Sequence, residues 1–102
     1  MRHANLHLWY QEINREKFDG KLQDVPVRWG DLSGDDAYGM TRFYEDGFAT
    51  IEIDRALTTE HQAREVLQHE ACHVWVRDDG VRVKMHGPEF RECMKRFVPE
   101  AD

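Results

Sequence analysis

Within these 102 residues the densest chemistry lies in His69-Glu70-Ala71-Cys72-His73, an HExxH pattern. On a helix, residues four apart share one face, so the two imidazoles can reach a single ion. Neutral imidazole suits zinc at about 2.1 Å, and a site with three protein ligands leaves a fourth corner for water. Glu70 follows His69 by one residue, about 100° round the helix, where it can approach that water without ligating the metal. The residue types and spacing therefore predict His69 and His73 as zinc ligands and place Glu70 where a general base would stand. With six histidines in the chain, a pattern this short can arise by chance as two hydrogen-bonded helix-face histidines, so its weight comes from its surroundings.

A third ligand is required, and Asp79, His86 and Glu89 compete for the place. Asp79 lies six residues beyond His73, where one zinc-peptidase pattern puts its third ligand, but that pattern needs a glycine three residues after the second histidine to turn the helix away. Val76 stands there; a β-branched residue inside a continuing helix argues that Asp79 points away. Glu89 falls in the first turn of a helix, where stabilising the dipole accounts for a carboxylate. His86 immediately precedes Gly87-Pro88, and the fixed φ of proline can hold an imidazole at the start of a helix facing the site. His86 is the preferred ligand. Tyr38, Tyr44 and Arg82 are candidates to assist an oxyanion, but surface or packing roles explain each better and the role is left unassigned. His61 lies two helical turns before His69, where the helix start favours solvent exposure over ligation; His3 and His7 carry no ligand spacing.

The elements that must position these groups follow from periodicity. Leu6, Trp9 or Tyr10, and Ile13 recur at helical spacing, with Phe18 closing the segment before Asp19-Gly20. Val25, Val27 and Trp29 alternate with polar or small residues as a strand does, and Pro26 marks an edge or a strand start. After the loop-like stretch Leu32 to Asp36, the segments Ala37 to Glu45 and Phe48 to Asp54 flank Asp46-Gly47, which suits a two-residue primed turn; Ala49, Ile51 and Ile53 should face the core. Thr59 and Gln62 resemble a capping box, opening a helix that carries HExxH to about Arg77, with Gly80 available to stop it. Its apolar residues occupy more than one side, as in a helix buried within a core. A final helix from Gly87-Pro88 presents Phe90, Cys93, Met94 and Phe97 inward. The expected fold class is α+β: a helix, a small three-stranded sheet with a hairpin, the HExxH helix and a C-terminal helix.

Composition sets the outer bounds. One domain over residues 1–102 is expected from length alone, and 40% hydrophobic with 33% charged residues is the make-up of a folded chain. A net charge of −6 opposes phosphate backbones, which excludes autonomous nucleic-acid binding as an expectation. No apolar run is long enough for a membrane span and the first residues do not resemble a signal peptide, so a cytoplasmic protein is predicted. Cys72 and Cys93 form no CxxC pair and are expected to be packed free thiols, Cys72 lying behind the histidines.

The segments INREKFDGKL (13–22), VPVRWG (25–30), LQHEACHVW (67–75) and HGPEF (86–90) together resemble the SprT-like zinc metallopeptidases over nearly the whole chain. HExxH is shared by many zincins, whereas HGPEF thirteen residues downstream of His73 and the FDGKL end of the first helix are far more specific. The resemblance implies a minimal zincin fold, zinc held by His69, His73 and His86, and Glu70 as the catalytic residue of a peptidase acting on a protein or peptide substrate. It also suggests protein quality control or proteolysis of DNA–protein crosslinks. The cysteine pairs of the zinc ribbon that many relatives carry are not found in this sequence, so DNA association is expected only through a partner. The alternatives are a zinc-containing binding or regulatory module without protease activity, and a phage or bacterial zincin that cleaves a regulator.

Overall fold

A computed structural model describes residues 5–78 and 84–99; His3, Asp79, Gly80 and Arg82 lie outside the described residues. The first helix, α1 (Leu6–Lys17), opens where the side chain of Asn5 accepts the backbone N–H of Leu8 at 3.1 Å, satisfying one of the helix's orphan donors. Its inward residues are Leu6, Tyr10 and Ile13, so Tyr10 and not Trp9 takes the central place. Tyr10 is completely buried, and its hydroxyl donates to the carbonyl of Gln23 at 2.6 Å, which meets the hydrogen-bonding demand of a buried phenol.

Three strands, β1 (Val27–Gly30), β2 (Gly39–Phe43) and β3 (Ala49–Asp54), form one mixed sheet in the order β1-β3-β2. β3 runs parallel to β1, with Trp29 opposite Ile53, and antiparallel to β2, with Thr41 opposite Ile51. Ala49, Ile51 and Ile53 are sealed from solvent on the inner face, as the alternation predicts. The proline signal is also met, since Pro26 precedes an edge strand while its carbonyl accepts the N–H of Ile51. The hairpin turn differs from the expected two-residue form. The N–H of Tyr44 bonds the carbonyl of Phe48 and the N–H of Gly47 bonds the carbonyl of Tyr44, leaving a three-residue loop in which Gly47 alone takes positive φ, at 89°. Asp46 stays at negative φ, so the dipeptide builds a tight turn followed by a glycine bulge.

The long helix α2 (Glu60–Val76) begins at Thr59, whose hydroxyl accepts the N–H of Gln62; the Gln62 amide reaches back to the N–H of Thr58, one residue earlier than a reciprocal capping box requires. α2 packs against α1, β2, β3 and α3 (Pro88–Phe97). It buries Leu67, Glu70, Ala71, Cys72, His73 and Val74, most of its circumference, as its sequence predicts. Its end falls within one residue of the expected Arg77. The helix stops at Val76 because Arg77 adopts a left-handed conformation (φ 55°, ψ 49°) with its N–H on the carbonyl of His73; the β-branched residue at 76 does not carry the helix onward.

The cysteines are a correction. Cys72 and Cys93 are joined by a disulfide between α2 and α3, and no described cysteine is free. The packed thiols expected from the sequence face each other across a helix pair whose Cα atoms approach to 5.8 Å there, inside the range a disulfide spans. No described helix is long and apolar enough to cross a membrane.

Candidate metal centre

The HExxH segment occupies the last two turns of α2, so His69 and His73 stack one turn apart on one face. His86 comes from the turn before α3, where Gly87 is the N-cap and Pro88 sits in the first helical turn. The three rings converge: Nε2 of His69 lies 3.2 Å from Nε2 of His73 and 3.3 Å from Nε2 of His86. One nitrogen from each ring falls within 4.8 Å of the other two, a group that could hold a metal ion. His73 is buried, His69 half-buried and His86 exposed, so the cluster opens to solvent on the His86 side. His86 has φ 55°, a left-handed conformation uncommon for a residue with a Cβ. Its neighbour Gly87 cannot be replaced freely, because an added Cβ would stand 2.9 Å from the backbone oxygen of Lys84.

Electrostatics favour neutral imidazoles. Burial pushes the pKa of His69 down to about 4, and the proximity of His73 and His86 adds to the fall. Burial lowers His73 as well, with Asp78 opposing the shift. A neutral ring keeps one nitrogen with a free lone pair. Phe90 closes the site from behind, its ring stacked on His73 at 4.5 Å and edge-on to His69 and His86 at 4.8 and 4.9 Å.

Glu70 is only 4% exposed. Burial drives its carboxyl up to about 7, against a hydrogen bond from the Thr41 hydroxyl to Oε1 at 2.7 Å that pulls the other way, while Asp78 adds to the rise. β2 approaches α2 closely at this point because residue 39 is glycine: a Cβ there would lie 2.5 Å from Cγ1 of Val66 and 3.0 Å from Oε2 of Glu70. Two cavities meet at His69, Glu70, His86 and Gly39. One, of about 470 Å³, extends past Tyr38, Val66 and Met94; the other, of about 200 Å³, runs along β2 past Thr41 and Phe43.

Of the residues singled out in the sequence, His69, Glu70, His73 and His86 are brought together. Glu89 lies exposed in the first turn of α3 and outside the histidine group, while Asp79 and Arg82 fall outside the described residues. Tyr38 borders the larger cavity, Tyr44 is exposed beside the hairpin turn, His61 pairs with Glu65 and His7 with Asp24. Two participants have no signature in the sequence. Thr41 reaches Glu70 from a different element. Asp78, fully buried, places Oδ1 2.7 Å from Nδ1 of His73 and accepts the backbone N–H of His86 on Oδ2 at 3.3 Å; the one available hint was an acidic pair directly after the helix.

A helix–sheet–helix α+β arrangement with this histidine group thus stands where the sequence segments predicted it. The sequence model of the SprT-like family matches residues 6–100, and the chain belongs to the SprT-like family. No curated protein and no solved structure gives a significant match.

Proposed function

We propose that the chain is a zinc-dependent endopeptidase in which His69, His73 and His86 hold the ion and Glu70 is general base and then general acid. The carrying observation is the nearly sealed carboxyl of Glu70 beside three imidazoles that aim at one another. Separations of 3.2 and 3.3 Å from Nε2 of His69 are about the edge length of a tetrahedron with zinc–nitrogen bonds of about 2.0–2.1 Å. Hydrogen bonding among the rings is a poorer account. Nε2 of His69 carries one hydrogen at most, so it can satisfy one neighbour and must face the other without a donor. A cation at the centre satisfies all three.

When bound, zinc supplies a Lewis acid for the scissile carbonyl and acidifies the attacking water. Glu70 accepts a proton from that water and delivers it to the leaving nitrogen. Thr41 holds Oε1 in one orientation. β2 pairs with β3 on one side only and lies along the site, so an extended peptide can align on its outer edge with side chains in the two cavities. The substrate class is then an unfolded segment of protein. With a net charge of −6, any work on DNA-bound proteins depends on a partner for targeting.

Glu70→Gln tests the reading when zinc content is measured beside cleavage of an unfolded protein. One zinc per chain is expected in both forms, with cleavage reduced about 10²–10⁴-fold in the variant. A wild type that carries zinc and cleaves nothing across the neutral pH range is instead a zinc-containing binding or regulatory module.

A further inference from the structure

We propose that Asp78 is the positioning residue of the metal centre, a single carboxylate that fixes the ring of His73 through Oδ1 and the backbone of His86 through Oδ2, locking ligands from two separate segments to each other. The inference rests on the metal reading of the three histidines and does not require peptidase activity.

Asp78 has no solvent exposure, and a buried carboxylate is costly unless its oxygens are paired. Both oxygens are engaged by the site, with His73 Nδ1 at 2.7 Å and the His86 N–H at 3.3 Å. Its place in the chain argues against a merely local role. Asp78 follows the last residue of α2 by two positions, the end of a helix where the macrodipole disfavours negative charge. A cation held by the neighbouring histidines gives the charge a reason to be there. Two described residues beside Asp78 are also strained, since Arg77 and His86 both take φ 55°. Arg77 precedes Asp78 in the chain and His86 donates its N–H to it. Strain of this kind persists where surrounding contacts over-determine it.

The chemistry follows from hydrogen-bond inventory. With Oδ1 accepting from the ring, Nδ1 of His73 carries the hydrogen and the lone pair of Nε2 is left facing His69. A carboxylate on the outer nitrogen fixes the tautomer and raises the basicity of the ligating one. Asp78 is not itself part of the convergent group.

Asp78→Asn separates this role from packing, because the amide is isosteric yet has one acceptor oxygen for two donors; either one of the two bonds is lost, or the amide N–H donates to Nδ1 of His73 and forces the ring hydrogen onto Nε2, the nitrogen that faces the other rings. Zinc alone is titrated into the full chain, wild type and variant, in competition with a chromophoric chelator. The tautomer of His73 is read in the zinc-free wild type from its ring nitrogen-15 shifts. The expected results are zinc affinity about 10–100-fold weaker in the variant and a His73 that carries its hydrogen on Nδ1. Affinity within about threefold of wild type overturns the proposal, since loss of a tuning contact is larger than that. So does a wild-type His73 with its hydrogen on Nε2, a measurement that needs no variant to fold. If the wild type takes up no zinc, the metal reading fails together with this one; if it binds zinc and Asp78→Asn binds equally, this one fails alone.

Discussion

At the scale of single residues, the burial that would serve the proposed role of Glu70 also costs stability. An ordinary carboxyl releases its proton near 4.5, whereas burial holds that of Glu70 to about 7. The folded, metal-free chain therefore keeps a proton that the unfolded chain has already released. Stability is undiminished below about 4.5, falls as pH rises between the two values, and carries the full penalty above about 7. Glutamine never ionises, so Glu70→Gln escapes the penalty: zinc-free variant and wild type should unfold alike in urea near pH 4, while near pH 8 the variant should be more stable by about 3 kcal/mol. A gain of equal size at both pH values would mean that packing, not charge, is responsible. His69, Glu70 and His73 were legible in the sequence because one helix fixes their spacing. Thr41 and Asp78 were not, since contact with Glu70 and His73 arises only when β2 packs on α2 and when Arg77 turns the chain back.

At the scale of elements, the strands and helices followed their periodicities closely, because burial of one sheet face and of most of α2 is written in the order of apolar residues. Misreadings fell where geometry between or beyond elements decides. Gly47 signalled a turn, but whether Asp46 also takes positive φ depends on how the strands meet. The cysteine pair gave no signal at all, since a separation of 21 residues acquires meaning only once α2 and α3 lie side by side. A bridge closing a loop of that length is worth about 3 kcal/mol in the chain-entropy account. Replacing both cysteines with alanine should lower the stability of the zinc-free protein by that order, measured by urea unfolding; an unchanged midpoint would mean that the bridge does not constrain the unfolded chain. The contact between β2 and α2 has its own test. Gly39→Ala forces a methyl to within 2.5 Å of Val66 and 3.0 Å of Glu70, so overpacking should cost about 1–3 kcal/mol. Under the proposed function, peptide cleavage should fall in the same variant, because the shift moves Glu70; full cleavage with full stability would show that the strand has room the structure does not display.

At the scale of the whole molecule, the disulfide and the proposed metal centre would join neighbouring parts of the chain. The disulfide ties Cys72 of α2 to Cys93 of α3, and an ion in the histidine group would tie residues 69 and 73 of α2 to His86, just before α3. In a chain of 102 residues one hydrophobic core is a modest source of stability, and crosslinks of this kind matter correspondingly more. Zinc at a hundredfold excess over its dissociation constant should stabilise the fold by about 2.7 kcal/mol. In a domain of this size that raises the melting temperature by on the order of 10 °C or more, and a chelator should reverse it. Because the bridge holds α3 against α2, it also presents His86 to the other two rings, so zinc should bind more weakly once both cysteines are alanine. Linkage makes the coupling reciprocal: bound zinc must then make the disulfide harder to reduce, by the same free energy. Residues that act through shared packing couple by about 0.5–3 kcal/mol. Zinc titrations of the oxidised and the reduced wild type, set beside the reduction equilibrium with and without zinc, give that quantity twice. Agreement between the two values above about 0.5 kcal/mol establishes one cooperative clamp; equal zinc affinity in both forms would instead make the metal centre and the bridge independent fasteners on a helix pair already rigid from its packing.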